Sequence, residues 1–497
     1  LSGSERSLEG LRLCVLTDQD LDEDPFPEDD WPCDPRPWIP EATWETVALT
    51  REEAVPRVTE LALEGFDGFF NLCDGAWDEP RPGIEVVETL ERLGQVYTGA
   101  DPVFFEPPRE AMKRVCRAWG IDTPGYVLAR SRADVERAAE MLRFPLIVKH
   151  PSSYASTGLT RDSRVETPDA LREQSRIMMD AYAGALVEEF VEGVEASVLV
   201  SENPSDPNDP VVYPPIRYRF PEGETFKHYD LKWFDYHGLE PEPVDDAALN
   251  ARLREASSRF FLGLRGTGYG RCDVRIDGDG RCMMLEINPN CGVFYPADAP
   301  ASADLILTLD EKGHGGFARR AVRAAMARRE RLRRPWEVRP RSGGDHGLFA
   351  TRPLSPGETV LRLEETPHTL VTRERVWNEW DERRRDWFRR YAWPLTDAVW
   401  VTWSEEPSGW RPVNHACDPT AWLEGLDVVA RLPMEAGDEI TLDYATFMVD
   451  DMPAFECECG SPACRGVIRG SDWREDFVAR YGDRVSDYVR RRRNGER

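Results

Sequence analysis

Two short stretches in the middle of the chain decide how it is read: Arg271-Cys272-Asp273, and farther on Leu285-Glu286-Ile287-Asn288-Pro289-Asn290. Each lies in an alternating apolar run, so together they read as a strand pair around 270–288. Asp273 and Glu286 then point from adjacent strands. Asn288 stands two residues beyond Glu286 and shares its face. Two carboxylates and an amide oxygen are hard ligands, suited to Mg²⁺ held between protein and nucleotide phosphates. Carboxylates this close repel one another unless a cation lies between them.

Three features upstream fit the same picture. Lys149 ends the strand 145–150 (Pro-Leu-Ile-Val-Lys-His), and the hydroxyl-rich loop Ser152-Ser153-Tyr154-Ala155-Ser156-Thr157-Gly158 follows. Such a loop exposes N–H groups that can cradle phosphate oxygens, or is only a turn. The strand 185–191 carries Leu186-Val187-Glu188-Glu189-Phe190-Val191, with Glu195 beyond. Its exit can offer backbone groups to an adenine and a carboxylate to a ribose, or merely two surface acids. Lys232 stands in His228-Tyr229-Asp230-Leu231-Lys232-Trp233. Helices are expected over 107–119 and over the basic stretch 316–334, the second ended by Pro335 and Pro340.

Taken in order, these features make residues 12–330 resemble the ATP-grasp ligases, most closely the D-alanine–D-alanine ligase branch. Phe69-Phe70-Asn71-Leu72-Cys73-Asp74-Gly75 and Gln95-Val96-Tyr97-Thr98-Gly99-Ala100 resemble that branch's first subdomain. The resemblance implies that Arg109 (where the family usually has Lys), Lys149, Ser156, Glu188, Val191 and Glu195 bind ATP. It implies Arg271 and the central-loop Lys232 as catalytic, and Asp273, Glu286 and Asn288 as Mg²⁺ ligands. The implied reaction phosphorylates a carboxylate, and an amine attacks the acyl phosphate to give an amide, ADP and phosphate. Where the branch carries a Gly-Gly-x-Ser-x-Glu loop for the first amino group, this chain has Asp18, Asp20, Asp22, Glu23 and Asp24. The branch's His-Gly-x-x-Gly-Glu-Asp-Gly pattern is reduced to Asp74-Gly75. Both departures point away from cell-wall D-alanine ligation, and the acidic loop toward a more cationic substrate.

The last third changes character, to short strands and Gly/Pro turns. Cys457-Glu-Cys459-Gly-Ser-Pro-Ala-Cys464 supplies three thiolates. Structural zinc takes four ligands in a tetrahedron, and Cys417, the only other Cys in this third, is the candidate for the fourth. Asp345-His346-Gly347-Leu348-Phe349-Ala350, Asn414-His415-Ala416-Cys417-Asp418-Pro419 and the run from Gly437 to Tyr444 accompany the cluster. Residues 341–467 resemble the SET-domain methyltransferases with their post-SET cysteine cluster, with Asp345 for the usual Gly and Thr420 for the usual Asn. The resemblance implies S-adenosylmethionine held by His346, Gly347, Leu348, Asn414 and His415, with Tyr444 catalytic. It also implies a lysine-like amine that enters by a narrow channel. Trp393, Trp400, Trp403, Trp410 and Trp422 could include a cage for a methylated ammonium, or serve packing.

The chain's 497 residues, 41% hydrophobic and 31% charged, exclude a disordered or membrane-embedded protein. No apolar run approaches the roughly 20 residues of a membrane span, and the first residues lack the pattern of a signal peptide. Residues 1–330 hold 37 Lys and Arg against 61 Asp and Glu, and the remainder 26 against 30. An acidic first part argues against nucleic acid as partner. Only five basic residues are Lys (113, 149, 227, 232 and 312), so each carries weight in an Arg-rich chain. Eleven Cys without a secretory signal suggest a reducing, cytoplasmic setting.

The expected architecture is multidomain α+β. It comprises an ATP-grasp fold of three subdomains (1–105 the first, 106–334 the central and C-terminal ones) and a mostly-β SET domain over 335–450. A post-SET zinc knuckle over 451–470 and a basic helix over 471–497 follow. An acidic, Pro-rich surface loop is expected from Asp18 to Pro40. The cofactors expected are ATP, Mg²⁺, S-adenosylmethionine and Zn²⁺. The partners expected are small amino acids or peptides, with a homodimer implied by the ligase resemblance. Two enzyme sites in one chain suggest a bifunctional enzyme of specialised metabolism that ligates amino acids and N-methylates a lysine-like amine. The alternative is a protein-lysine methyltransferase with a nucleotide-binding accessory module.

Overall fold

The computed structural model describes residues 7–18, 33–77, 79–152, 158–228, 231, 239–332, 334–341, 346–363, 368–403 and 411–495. Ser156, Lys232, Asp345, Trp410 and the acids at 20, 22, 23 and 24 lie outside them. The chain forms two compact units, Leu1–Leu332 and Arg333–Arg497. No helix among the described residues is long and apolar enough to cross a membrane.

Three sheets build the first unit. Thr43–Leu49, Arg12–Asp18 and Gly68–Asn71 pair in that order and run parallel. The helix Ala54–Leu63 carries the chain from Thr43–Leu49 across to Gly68–Asn71 on the other side of the middle strand, the crossover that parallel strands require. The middle strand is a continuous apolar run, Leu13 to Leu16, because both its faces are covered. Asp18 belongs to this strand and is buried, and Ile39 is fully buried beside the turn Arg36–Trp38. The surface loop expected from Asp18 to Pro40 is therefore anchored in the core at both ends.

The second sheet is antiparallel, in the order Tyr126–Ala129, Ala185–Glu189, Leu146–Lys149, Arg164–Val165. Helices Arg132–Met141 and Pro168–Tyr182 pack with it, begun by Ser131 and Thr167, whose hydroxyls accept from backbone N–H groups in the first turn. In the third sheet Tyr269–Ile276 lies between Val194–Ser201 and Cys282–Pro289. Helices Arg109–Ala118 and Ala247–Gly263 pack against it. The expected strands and the expected helix over 107–119 are thus present, with ends shifted by a residue or two.

The expected basic helix is Gly313–Leu332, and its Arg328 ties the first and third sheets together. The guanidinium donates to Tyr97 O at 2.7 Å and Gly99 O at 3.1 Å, and pairs with buried Glu202 at 3.1 Å. Glu202 also accepts from Gly268 N–H at 3.0 Å. Gly268 sits at φ 62°, and a Cβ there would lie 2.2 Å from the Gly99 carbonyl, so only glycine fits this crossing.

Small sheets make up the second unit. The principal one runs Trp336–Pro340, His346–Ala350, Glu439–Leu442, Asn414–His415. Its last pair is parallel, Asn414 opposite Thr441 and His415 opposite Leu442, which sets two distant motifs side by side. A short hairpin, Phe455–Glu456 with Val467–Ile468, presents the cysteine run between its arms. The expected helix over 471–497 is broken. Gly470–Arg474 and Asp476–Tyr481 are 3₁₀ turns, Gly482 takes a positive φ of 54°, and only Asp487–Arg493 is α-helical, capped by Ser486. Trp473, Val478, Tyr481, Tyr488 and Val489 are buried there, so core contacts override the basic, helix-favouring composition.

Candidate active sites

The register of the third sheet places Asp273 opposite Glu286 and Arg271 opposite Asn288. Asp273 accepts from Ser197 Oγ at 2.6 Å, from Arg271 Nη2 at 2.9 Å and from Asn288 Nδ2 at 3.0 Å. Burial pushes its carboxyl up, but Arg271 and Lys227 outweigh that and hold it well below the usual carboxylate range. Glu286 pairs with Arg109 at 2.7 Å. Two arginines therefore neutralise the two acids. Mg²⁺ is commonly bound through one or two carboxylates plus substrate phosphates, and this donor set fits such an ion.

Glu188 lies in the middle strand of its sheet, paired on both edges with Tyr126 and Ile147, which commits its backbone to the ladders. Its carboxylate is out of water, 2.6 Å from Lys113 Nζ and 2.7 Å from Lys149 Nζ. Glu188, expected among the nucleotide-binding residues, thus lies between two ammonium groups and positions Lys149. Burial alone would raise its pKa, but the two ammonium groups hold it at about 2. Burial in turn lowers the pKa of Lys113, which also donates to Leu285 O at 2.9 Å.

Glu195 is likewise engaged, by Lys227 at 3.1 Å and Arg275 at 3.5 Å. Arg275 donates to Val191 O at 3.1 Å and so fixes the exit of that strand. Arg109, Lys149, Glu188, Val191, Glu195, Arg271, Asp273, Glu286 and Asn288 all line one cavity of about 110 Å³. Ser156 and Lys232 lie outside the described residues. Lys113, Lys227, Arg275 and Ser197 received no role from sequence. The scarcity of lysine was the available signal for the first two, since Lys113, Lys149 and Lys227 all serve this site.

In the second unit Tyr444 follows the strand Glu439–Leu442. Its hydroxyl donates to Val413 O at 3.0 Å, and its N–H donates to His415 Nδ1 at 3.1 Å. The His415 imidazole is buried, its pKa pushed down to about 4, with Nε2 3.4 Å from Cys417 Sγ. Asp443 accepts two bonds from Arg465, at 2.7 and 2.8 Å, and one from Tyr481 at 2.8 Å. Asn414 Nδ2 donates to His346 O at 3.0 Å and to Glu439 Oε1 at 2.9 Å. A Cβ on Gly347 would lie 2.7 Å from that same Glu439 oxygen.

A cavity of about 420 Å³ brings together His346, Asn414 and Tyr444 with Trp393, Trp403, Phe447 and Phe455. Gly347, Leu348 and His415 do not line it. Leu348 is fully buried in the core, and His415 supports Tyr444 from behind. Of the tryptophans, Trp393 and Trp403 line the cavity, whereas Trp400 packs on Phe388 and Trp422 lies under Arg484. Cys417, Cys457, Cys459 and Cys464 place their sulfurs within 4.8 Å of one another, Cys417 and Cys457 at 3.9 Å. Four thiolates about 2.3 Å from one ion at tetrahedral angles stand about 3.8 Å apart, so this set could hold zinc.

Two enzyme folds thus share one chain, an ATP-grasp unit and a SET domain. The family model for the D-Ala D-Ala ligase C-terminus matches residues 115–300, and that for the SET domain matches 345–445. The D-alanine–D-alanine ligase of Ralstonia pickettii is 30% identical over 255 residues, covering 50% of this chain and 72% of the ligase. That of Chromohalobacter salexigens is 30% identical over 264 residues, covering 51% and 73%. The crystal structure of the Bacillus anthracis D-alanine–D-alanine ligase is similar at 17% identity with a TM-score of 0.47, over 65% of this chain and 100% of that one. This chain belongs to the D-alanine–D-alanine ligase family of ATP-grasp enzymes and carries a SET domain after the ligase unit.

The buried Glu188 triangle makes a pH-dependent prediction. Glu188→Gln leaves two lysines short of their counter-charge and should lower stability at pH 7 by about 3 kcal/mol. A carboxyl whose pKa is depressed on folding stabilises above its ordinary value of 4.5, and that contribution fades as pH falls toward about 2. Denaturant unfolding of parent and variant should therefore show a gap that is full at neutral pH and closes across that acid range. A gap independent of pH would contradict the assignment.

Proposed function

We propose that the chain is a bifunctional enzyme: the ligase unit joins a carboxylate to an amine using ATP, and the SET unit methylates a lysine-like amine from S-adenosylmethionine. One observation carries the reading. In each unit, residues far apart in sequence that the family motifs mark for chemistry converge on one cavity.

In the ligase unit Arg109 and Lys149 would hold nucleotide phosphates, and Asp273, Glu286 and Asn288 would hold Mg²⁺. ATP supplies the phosphoryl group that activates the substrate carboxylate for attack by the amine. Arg271 and Lys149 provide fixed positive charge where negative charge gathers on the transferred group and on the tetrahedral centre. Arg109 and Arg271 rest on Glu286 and Asp273, so both guanidinium groups stand where they would meet phosphate oxygens and both acids where they would hold the metal. The acceptor site differs from that of a D-alanine enzyme. At the C-terminal ends of the first sheet's strands, where parallel sheets bind ligands, Arg81 lies 3.7 Å from Asp18, 3.2 Å from Asp74 and 2.8 Å from Glu79. This charged cluster supports a polar or cationic amino-acid substrate rather than D-alanine.

In the SET unit His346 and Asn414 would hold S-adenosylmethionine, which supplies the methyl group. Tyr444 spends its single proton on Val413 O, so its oxygen remains an acceptor for the reacting centre. Aromatic walls exclude water and favour the neutral amine that methyl transfer requires. Zinc on the four cysteines would brace this wall, because Cys417 touches His415 and His415 holds the Tyr444 backbone. The substrates are proposed to be small amino acids or peptides of specialised metabolism.

Separate sites make a double prediction. Tyr444→Phe should lower methyl transfer about a hundredfold and leave ADP release unchanged, while Asp273→Asn should do the reverse. Loss of both activities in either variant would contradict the account. Metal analysis should find one zinc per chain, and stripping it with a chelator should lower the unfolding temperature of the SET unit. A zinc-free chain with full methylation would overturn the zinc assignment.

A further inference from the structure

Lys227 lines the ligase cavity together with Arg109, Lys149 and Arg271. Its Nζ lies 3.1 Å from Glu195 Oε1 and 3.2 Å above the centre of the Tyr218 ring. Tyr218 is the ladder partner of Glu195, and its hydroxyl donates to Ser302 Oγ at 2.7 Å, so the ring is fixed beneath the ammonium. The segment that carries Lys227 is pinned residue by residue. Glu224 pairs with Arg161 at 2.6 Å, Thr225 O accepts from Arg275 Nη1 at 2.8 Å, and Phe226 packs with Ile147, Leu159 and Phe190. Lysine has a flexible four-carbon stem, but here both its backbone and its ammonium are held, so the charge occupies one place.

That place lies between the two ends of a bound nucleotide. In the third sheet Arg275 is opposite Glu195, and Asp273 is opposite Ser197. Glu195 and Asp273 are therefore diagonal neighbours on one face, about 7–8 Å apart. Glu195 is the acid expected at the ribose and Asp273 the acid expected at the metal. A nucleotide with its ribose at one and its Mg²⁺ at the other lays its phosphates across the gap between them. Lys227 touches Glu195, and its charge reaches Asp273, where with Arg271 it holds the carboxyl down. Burial alone would lower the pKa of the ammonium, but Tyr218, Glu195 and Asp273 hold it above the usual lysine value. An ammonium is a compact point charge with three donors, able to meet phosphate oxygens from several directions.

We propose that Lys227 binds the phosphate chain of the nucleotide, as a cation additional to Arg109 and Lys149, and that Glu195 and Tyr218 aim it. This rests on reading the ligase unit as ATP-dependent. Recognition of ribose and of phosphate is then coupled, because the acid that meets the ribose also places the cation. The contribution of Lys227 depends on phosphate and vanishes for the nucleoside.

The test measures by calorimetry the affinities of the whole chain for ATP, ADP, AMP and adenosine, each with Mg²⁺, in the parent, Lys227→Met and Lys227→Arg. Lys227→Met should raise the Kd of ATP and ADP about tenfold and leave that of adenosine within about twofold, while Lys227→Arg should keep most of the affinity. A shift with AMP as well places the contact at the first phosphate, and a shift confined to ADP and ATP places it farther along the chain. Should Lys227→Met fail to fold, Lys227→Gln made together with Glu195→Gln keeps a hydrogen bond between the two positions, and comparison with Glu195→Gln alone reads the same gradient. Equal weakening of all four, adenosine included, would overturn the proposal and leave Lys227 a support for Glu195. Unchanged ATP affinity in Lys227→Met would overturn it too. A graded loss in a chain that releases no ADP with any pair of amino acids would keep the phosphate contact and overturn the ligase reading. A parent that binds none of the four would overturn both.

Discussion

The Glu188 carboxylate lies wholly out of water, and its two lysine partners come from different elements of the ligase unit, Lys113 from a helix and Lys149 from the end of a neighbouring strand. An isolated charge could not be buried there, so the triangle stands only while all three groups are in place. Its consequences reach the rest of the cleft. Lys149 is aimed by Glu188, the helix carrying Lys113 also carries Arg109, and Arg109 closes on Glu286. Asp273 with Arg271, and Glu195 with Lys227 and Arg275, extend the same pattern. The cleft is preorganised by mutual neutralisation: each acid that lines it is held by a cation from another part of the unit or from its own strand.

The SET unit meets the equivalent problem with sulfur. Four cysteines from two separate stretches meet, and one of them, Cys417, touches the imidazole that holds the backbone of Tyr444. Asp443, one residue before Tyr444, is fixed by Arg465, one residue after Cys464. The cysteine cluster and Tyr444 are therefore joined twice, through His415 and through the Asp443–Arg465 pair. What looks in sequence like a peripheral knuckle is tied to the segment that carries Tyr444.

Much of this was legible in the sequence. The alternation of strands put Asp273, Glu286 and Asn288 on one surface, and the register bears that out. Cys417 followed from counting the cysteines of the last third. Other roles depend on edges and partners that a single sequence does not display. Glu188 stands among the residues expected to bind nucleotide, and its pairing with Lys113 and Lys149 depends on a helix and a neighbouring strand that only the fold brings to it. His415 and Leu348 stand in binding motifs yet do not line the cavity: His415 pairs in parallel and Leu348 antiparallel with the strand Glu439–Leu442, and those pairings set which side of each residue is turned to the core. The broken C-terminal helix shows composition yielding to burial: Gly482 and a set of large apolar residues shape that segment more than its arginines do. Lysine rarity was the one compositional hint that proved structural, since three of the five lysines serve a single cleft.

Two chemistries on one chain make most sense when the product of one is the substrate of the other, and lysine-type amino acids suit both an amide ligase with a charged acceptor site and an aromatic methylation chamber. The most direct measurement is ADP release by the intact chain with Mg-ATP over pairs of amino acids that include lysine and its mono-, di- and trimethylated forms, with mass spectrometry of the products. The account predicts ADP release and an amide product with a lysine-type substrate, and preference for a methylated form would put methylation first. No ADP with any pair, while S-adenosylmethionine is consumed on a protein acceptor, would contradict it and leave a methyltransferase with a nucleotide-binding accessory unit.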